Sequence, residues 1–376
     1  MRYTSRLGVV FIVVFLCWSV QVGFCQQDRQ RSLMNVENLT LDSTAQRVYY
    51  EQRLYRNPVI GLLELSQALS LPSATEFVPL YQGIPIAGYQ PGNNWQTRLL
   101  SRSDRKALGK LIPAGPGHYK LDFRIQPEVI ANFGFKMDPF QTKTSLLLQT
   151  QLYLSRGLVL NAGVLFPITN NYDNQPMNIR PAPIYLNQFL ALDEQNFLSG
   201  SVGLFYSNQY GVNLQYRRAN LTKPWSFGLE ASLTGDYYFP TRGIYYESMN
   251  KAMVLADVAY RFRKHDITLK LSGGQYLYQD RGVRLDFIRQ IYSVEVGIFA
   301  MKTSKASTAG FNFAIPIPPG RLAQSKRFRL RTTEEFRWEY SYNGGGNNVG
   351  LRYRLGNQLD ALLRQYHSDY LRQQVP

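Results

Sequence analysis

Residues 270–319 read KLSGGQYLYQDRGVRLDFIRQIYSVEVGIFAMKTSKASTAGFNFAIPIPP and predict a series of β-hairpins. Four segments alternate apolar and polar residues, with turn signals between them. Val283, Leu285 and Phe287 lie on one face, and Arg284 and Asp286 on the other, because successive side chains of a strand point to opposite faces. One apolar and one charged face is typical both of a soluble sheet with one wet side and of a membrane barrel with a polar lumen.

The same stretch resembles the YjbH family of exopolysaccharide-biosynthesis proteins. The resemblance is carried, in order, by Gln275–Leu277, Asp280–Gly282, the Arg-x-Asp-x-x-Arg run Arg284–Arg289, Val296–Ala300, Gly310–Phe313 and Ile315–Pro318, with weaker similarity at Val48–Pro58. The family is regarded as outer-membrane β-barrels of Gram-negative bacteria, so the resemblance implies that fold and a role in exopolysaccharide or capsule production.

The first 25 residues predict a signal peptide. Arg2 and Arg6 form a positive start, residues 7–20 are apolar, and Gly23 precedes a cleavage position. The apolar run is shorter than the roughly 20 residues that span a bilayer, which disfavours a membrane anchor. A lipoprotein cleaved before Cys25 is the second alternative. Either way the exported chain does not depend on disulfides, which excludes the small disulfide-stapled class.

Composition favours a barrel that interacts with an anionic partner. The chain has 26 Tyr and 21 Phe among 376 residues, and nothing after the first 20 residues predicts a transmembrane helix. Its 42 Lys and Arg against 26 Asp and Glu give a formal net charge of +16. An acidic polysaccharide or lipid phosphate suits this charge. Nucleic acid is not predicted as a partner, because the chain is exported and carries no recognisable nucleic-acid motif.

The chain divides into four predicted parts. Residues 26–117 are an N-terminal segment with first strands near 48–54, a strand or helix at 59–69, and a long irregular loop or plug from 70 to 117. Residues 118–356 predict the barrel, because alternating segments of about ten residues are the length that a tilted membrane strand needs. A loop is predicted at 170–196 and a hairpin turn at Gly344–Gly346. Residues 357–376 predict an amphipathic helix.

Arginines recur on the polar faces of the predicted strands. If the apolar faces contact lipid, the interior is rich in arginine, and the candidates for glycan binding in the lumen are Arg217, Arg284, Arg327, Arg329, Arg331, Arg337, Arg352 and Arg354. Arginine suits bidentate contact with carboxylates and phosphates. The alternative is that these arginines pair with interior carboxylates such as Asp286, Glu335 and Glu339 to fill a narrow barrel. Glu334 interrupts the alternation and is predicted near a membrane interface.

No catalytic or metal-binding pattern is recognisable. His118, His265 and His367 have no nucleophile or metal spacing around them, and the adjacent triad residue types at 367–369 are predicted to lie in a helix. Asp280 is predicted to serve turn formation.

The sequence thus predicts an all-β fold, a single antiparallel outer-membrane β-barrel of about 12 strands with a C-terminal amphipathic helix. We expect a non-enzymatic conduit or assembly component of exopolysaccharide production or export, with a basic lumen and no cofactor or metal. Its expected partners are outer-membrane lipid, acidic polysaccharide and other polysaccharide-export proteins. A lipid-modifying outer-membrane enzyme and a soluble, secreted carbohydrate-binding β protein are the two alternatives.

Overall fold

The computed structural model describes residues 29–72, 74–92, 95–133, 140–342 and 349–374. The predicted signal peptide and the predicted turn at Gly344–Gly346 lie outside these residues. Strands make up 56% of the chain and helices 14%, so the prediction of a mainly β protein is confirmed. No described helix is long and apolar enough to cross a membrane.

The first part of the chain forms a small mixed sheet with helices, which we call the N-terminal unit. Its elements are α1 (Arg29–Asn35), β1 (Val36–Asp42), β2 (Arg47–Gln52), α2 (Pro58–Leu69), β3 (Glu76–Tyr81), β4 (Ile84–Pro85), β5 (Ala87–Gln90), β6 (Gln96–Leu99) and α3 (Arg102–Leu111). The strand order is β1-β2-β3-β5-β6, with β4 beside β3. The β2–β3 pair is parallel, as expected where a helix connects the two strands.

Local capping explains both longer helices of this unit. Asn57 accepts a hydrogen bond from the Val59 amide, and Pro58 fills the first helical position, so residues 59–69 form a helix rather than a strand. Ser101 and Asp104 form a reciprocal capping box at the start of α3. The irregular loop predicted for 70–117 is wrong. Its short strands are buried on both faces, as in Phe77–Leu80, and therefore show no alternation.

The rest of the chain forms one large sheet. Its strands are β7 (Leu121–Phe133), β8 (Phe140–Ser155), β9 (Leu158–Asn170), β10 (Arg180–Pro181), β11 (Ile184–Ala191), β12 (Asn196–Leu204), β13 (Gln209–Ala219), β14 (Trp225–Tyr238), β15 (Tyr245–Tyr246), β16 (Lys251–Phe262), β17 (Ile267–Gln275), β18 (Arg281–Ile291), β19 (Val294–Thr303), β20 (Ser307–Ile315), β21 (Arg321–Gln324), β22 (Phe328–Thr332) and β23 (Phe336–Tyr342). Neighbours along the chain pair antiparallel in long continuous registers, as from β12 to β14 and from β16 to β20.

The last strands of the series pair out of chain order. β23 pairs antiparallel with β20, whereas β22 pairs parallel with β7. The single strand predicted at 328–340 is therefore wrong, because a break at 333–335 divides it between two neighbours. β7 runs through Pro127 without interruption. The predicted loop at 170–196 is also wrong, since β11 lies within it.

The connections between strands distinguish the two ends of the large sheet. The connections 156–157, 192–195, 220–224, 263–266 and 292–293 lie at one end, which we call the turn end. The longer connections 171–179 and 239–244 lie at the other, the loop end, together with the shorter 205–208, 276–280 and 304–306. The N-terminal unit packs at the turn end, where Phe189 and Phe197 of the large sheet join its core. Two short helices, α4 (Leu359–Gln365) and α5 (Ser368–Gln373), complete this core instead of the single predicted helix.

Candidate functional site

Residues 349–358, which we call the interior segment, run along the inward face of the large sheet from the loop end to the turn end. The Gly350 amide donates to Asp280 Oδ2 at 2.8 Å, and the Leu277 amide donates to the Leu351 carbonyl at 3.1 Å. At the other end, the Leu359 amide donates to Gln215 Oε1 at 2.9 Å. Asp280 thus has a second role beyond its predicted turn, since it anchors the start of the segment.

Close contact with the sheet favours glycine at Gly350. Its φ is +56°, and a Cβ atom there would lie 2.2 Å from Met301 Sδ. The left-handed conformation favours glycine, and any other residue would in addition have to displace the end of the Met301 side chain. Further along, the Tyr353 ring stacks on Phe205 with centroids 5.2 Å apart, and its hydroxyl accepts a hydrogen bond from Asn213 Nδ2 at 2.7 Å.

The strand predicted at 349–355 is wrong, although the segment is extended. Val349, Tyr353 and Leu355 are buried against apolar side chains of the sheet and its connections. Arg352 and Arg354 point to carboxylates of the sheet. An extended chain enclosed on both sides has the same two-residue periodicity as a strand, so the pattern could not distinguish them.

Seven of the eight predicted arginines lie inside the large sheet, and each contacts a carboxylate. The pairs are Arg217 with Asp257 and Asp360, Arg284 with Asp286 and Glu339, Arg329 with Asp122, Arg331 with Asp122 and Glu334, Arg337 with Glu295 and Glu335, Arg352 with Glu230, and Arg354 with Glu128. This matches the alternative in which arginines pair internally. A charge buried in this way needs such a partner.

Two residues lie elsewhere than predicted. Arg327 is exposed in the bend before β22 and is not part of a strand. Glu334 does not lie on the outer face. The break between β22 and β23 turns its carboxylate towards Arg331 and towards Arg124, whose Nη1 is 3.4 Å from Glu334 Oε1.

Glu295 on β19 connects three parts of the chain. Its carboxylate accepts hydrogen bonds from Arg56 Nη2 of the N-terminal unit at 3.0 Å, from Arg337 Nη1 of β23 at 2.7 Å, and from Arg364 Nη2 of α4 at 3.2 Å. The residue is 0% exposed. Arg56 and Arg337 also both bind Glu335.

A second charged cluster joins β1 and β2 to β7 and β22. Arg329 Nη2 of β22 lies 3.5 Å from Glu37 Oε1 of β1 and so links the two parts. Within each part, Arg329 Nε lies 2.5 Å from Asp122 Oδ1, and Arg53 Nε lies 2.6 Å from Glu37 Oε2. Burial alone would raise the pKa of Glu37, but the guanidinium groups of Arg53 and Arg329 lower it below its ordinary value. The N-terminal unit is therefore held to the large sheet by charge pairs at two places.

A polar cavity of about 190 Å³ remains between these clusters. The N-terminal unit, strands β7, β8, β9, β11, β22 and β23 and the interior segment all contribute to its lining. Its arginines are Arg53, Arg56, Arg124, Arg331, Arg337 and Arg354, and its carboxylates are Glu51, Asp122, Glu334 and Glu335. Arg56 Nη1, Arg337 Nη2 and Asn161 Nδ2 are buried without a hydrogen-bond partner. Water does not reach these three atoms, so they lie behind the surface of the cavity.

Sequence reasoning missed the arginines that come from outside the predicted strands. Arg53 and Arg56 lie near the first predicted strand, and Arg364 lies in the C-terminal helix; none was assigned to the interior. Glu295 could have been found, since it alternates with Val294 and Val296 and so shares the inward face. Burial of carboxylates at such positions is the signal that the arginines are paired.

The three histidines are not brought together. His118 and His265 are exposed, whereas His367 is buried at the start of α5. His367 Nδ1 accepts the Asp369 amide at 3.2 Å, and Nε2 lies 3.0 Å from the Lys223 carbonyl. Neutral imidazole satisfies both contacts, and burial followed by the charge of Arg261 lowers the pKa of His367 to about 3. Its visible role is to cap a helix.

Replacing Glu295 by Gln should loosen the turn end. Three arginines would then lose a buried carboxylate, and breaking a buried charge pair costs about 3–5 kcal/mol. We expect a lower thermal midpoint and faster proteolysis of the C-terminal helices. Glu194→Gln, in an exposed turn at the same end, is the matched control. Equal behaviour of the two variants would contradict a central role for Glu295.

His367 should make stability depend on pH between about 6.5 and 3. Its folded pKa lies below its unfolded value of 6.5, so the unfolded chain binds more protons in this window and stability falls as the pH falls. The expected contribution of His367 to the slope of the unfolding free energy is about 1.4 kcal/mol per pH unit. Denaturation at a series of pH values should show a smaller slope for His367→Asn than for the wild type. His118→Asn should leave the slope unchanged; an unchanged slope in both variants would refute the assignment.

No curated protein and no solved structure gives a significant match to the chain. The family model described as exopolysaccharide biosynthesis protein matches residues 96–360. This range contains every strand of the large sheet and the interior segment. It covers more than two thirds of the chain. The chain belongs to the YjbH exopolysaccharide-biosynthesis family.

Proposed function

We propose that this chain is an outer-membrane β-barrel that works as a non-enzymatic assembly component of exopolysaccharide or capsule production, with its lumen closed by its own interior segment. Family membership supports the biosynthetic role. The observation that carries the membrane location is the large sheet's distribution of side chains, which are apolar on the outward face and charged on the inward face.

The outward face is continuous and apolar over many strands. On β14, Trp225, Phe227 and Leu229 are each about half exposed. The register places Phe287 beside Ile298, and Ile298 beside Phe311. Contiguous patches of this kind are rare on soluble proteins. In a bilayer the same face would contact hydrocarbon, and outer-membrane lipid would be its partner.

Aromatic side chains at both ends of the strands support the same orientation. Trp225, Phe262 and Tyr292 lie at the turn end, and Tyr238 and Tyr342 at the loop end; all are exposed. Barrels of this kind carry aromatic girdles at both interfaces, with short turns on the periplasmic side. The N-terminal unit and α4 and α5 would then face the periplasm, where other polysaccharide-export proteins could bind them.

The distribution of charge favours a component that works in the closed state rather than an open conduit. The interior segment and α4 bring Arg352, Arg354 and Arg364 to the carboxylates of the sheet. Withdrawal of this part would leave Glu230 and Glu128 without these partners. Since its withdrawal would also remove the Asp360 carboxylate from Arg217 and Lys270, the lumen would lose a net charge of +2, which would weaken the attraction for an acidic glycan. A basic conduit, the expectation from sequence, is therefore the second candidate.

Membrane fractionation tests the location. We expect the protein in the outer-membrane fraction and faster migration on an unheated gel than on a heated one, because a closed barrel resists the detergent. Recovery in the soluble periplasm or the medium would overturn the proposal. That outcome would support a secreted sheet protein that binds carbohydrate.

Cross-linking of the interior segment tests whether the closed state is the working state. The Leu277 amide donates to the Leu351 carbonyl at 3.1 Å, so the two backbones are adjacent, and formation of a disulfide between cysteines at these positions is established first on a non-reducing gel. We expect Leu277→Cys/Leu351→Cys cells to produce exopolysaccharide at the level of each single variant under oxidising conditions. Loss of production that a reductant restores would instead show that the segment must move, and the conduit would be the better proposal.

A further inference from the structure

We propose that the polar cavity inside the large sheet binds one carboxylate-bearing sugar unit, such as a hexuronate. This inference rests on the proposed role in exopolysaccharide production and names a substrate class and a site for it. The cavity lies between the N-terminal unit, the sheet and the interior segment, so it exists only when all three are assembled.

The charge around the cavity selects an anion. Six arginines and four carboxylates line it. This composition leaves a formal excess of two positive charges in the lining, and a carboxylate in the cavity would offset part of this excess.

Arg354 is the most exposed of the lining arginines, although its Nη1 donates to the Arg337 carbonyl at 3.0 Å. Its Nη2 lies 3.4 Å from Glu128 Oε1, and its guanidinium group lies 4.3 Å from the centre of the Tyr206 ring. Its side chain is 30% exposed. A partly free guanidinium held over an aromatic ring is positioned for bidentate contact with a carboxylate.

The remaining lining groups suit the hydroxyls and the ring of a sugar. The amides of Gln126, Gln149, Gln151, Asn161 and Gln358 surround the cavity together with the rings of Tyr185 and Tyr206. Amides both donate and accept, as hydroxyl groups require. Asn161 lines the cavity and is 5% exposed. A simple anion would use the arginines but leave these amides unused.

The volume limits the ligand to one unit. About 190 Å³ is below the roughly 300–1,000 Å³ of pockets for drug-sized ligands. A polymer could not pass through this space while the interior segment is in place. The site therefore recognises a single residue of the glycan, and its occupation belongs to the closed state.

Calorimetry on the purified full-length protein in detergent tests this site. Galacturonate and glucuronate are the probes, with galactose, acetate and inorganic phosphate as comparisons. We expect saturable binding of at least one uronate, and at least tenfold weaker binding of galactose and of acetate. Absence of uronate binding, or equal binding of galactose, would overturn the proposal. Tighter phosphate binding would show a general anion site and would also overturn it.

Two variants locate the site. Arg354→Gln should weaken uronate binding at least tenfold. Arg352→Gln is the matched control, because Arg352 lies two residues earlier on the same segment, pairs with Glu230 and does not line the cavity. Asn161→Leu keeps the side-chain size and should weaken binding severalfold even if Arg354→Gln fails to fold. Equal affinity in the wild type and Asn161→Leu, or equal loss in Arg352→Gln, would refute the location. Fractionation of the same variants separates this outcome from failure of the proposed membrane role.

Discussion

Burial of the Glu295 carboxylate is the constraint on which the arrangement of the molecule depends. A carboxylate with no exposed surface is tolerable only when charged donors surround it, and here these donors come from the N-terminal unit, the wall of the large sheet and α4. None of the three parts can leave without stranding a charge in the interior. Assembly of the N-terminal unit, the sheet and the C-terminal helices should therefore be cooperative, and the interior segment, which connects β23 to α4, is drawn along the inside of the sheet as a consequence.

The outward face of the sheet could be predicted from sequence because successive side chains of a strand alternate between its two faces. Val283 and Leu285 are exposed whereas Arg284 and Asp286 are buried, as their alternation indicated. Three features could not be predicted in this way. Phe77–Leu80 is buried on both faces, the interior segment is extended without being a strand, and the break at 333–335 depends on which strands lie on either side. In each case tertiary contacts, not local periodicity, decide the structure.

The candidate site was predictable by residue type but not by partner. The alternation of apolar and polar residues alone placed Arg217, Arg329 and Arg331 inside, because a charge on the outward face would contact lipid or lie in an apolar patch. Alternation does not give the distance between an arginine and its partner, however. Arg56 and Glu295 are 239 positions apart, and Arg56 does not belong to the large sheet at all. A pattern of one strand carries no information about such pairs, so the balance between free and paired arginines became visible only in the assembled structure.

The origin of the interior's positive charge links closure to ligand binding. Arg352, Arg354 and Arg364 belong to the end of the chain that closes the sheet, and the carboxylates that they meet, Glu230, Glu128 and Glu295, belong to the wall. An acidic sugar in the cavity would add an attraction to Arg354 that exists only while this part of the chain stays in place. By mass action, a ligand that binds one state stabilises that state. Such a ligand would therefore hold the protein closed, which is the behaviour expected of a component that recognises the glycan and not of a channel that the glycan opens.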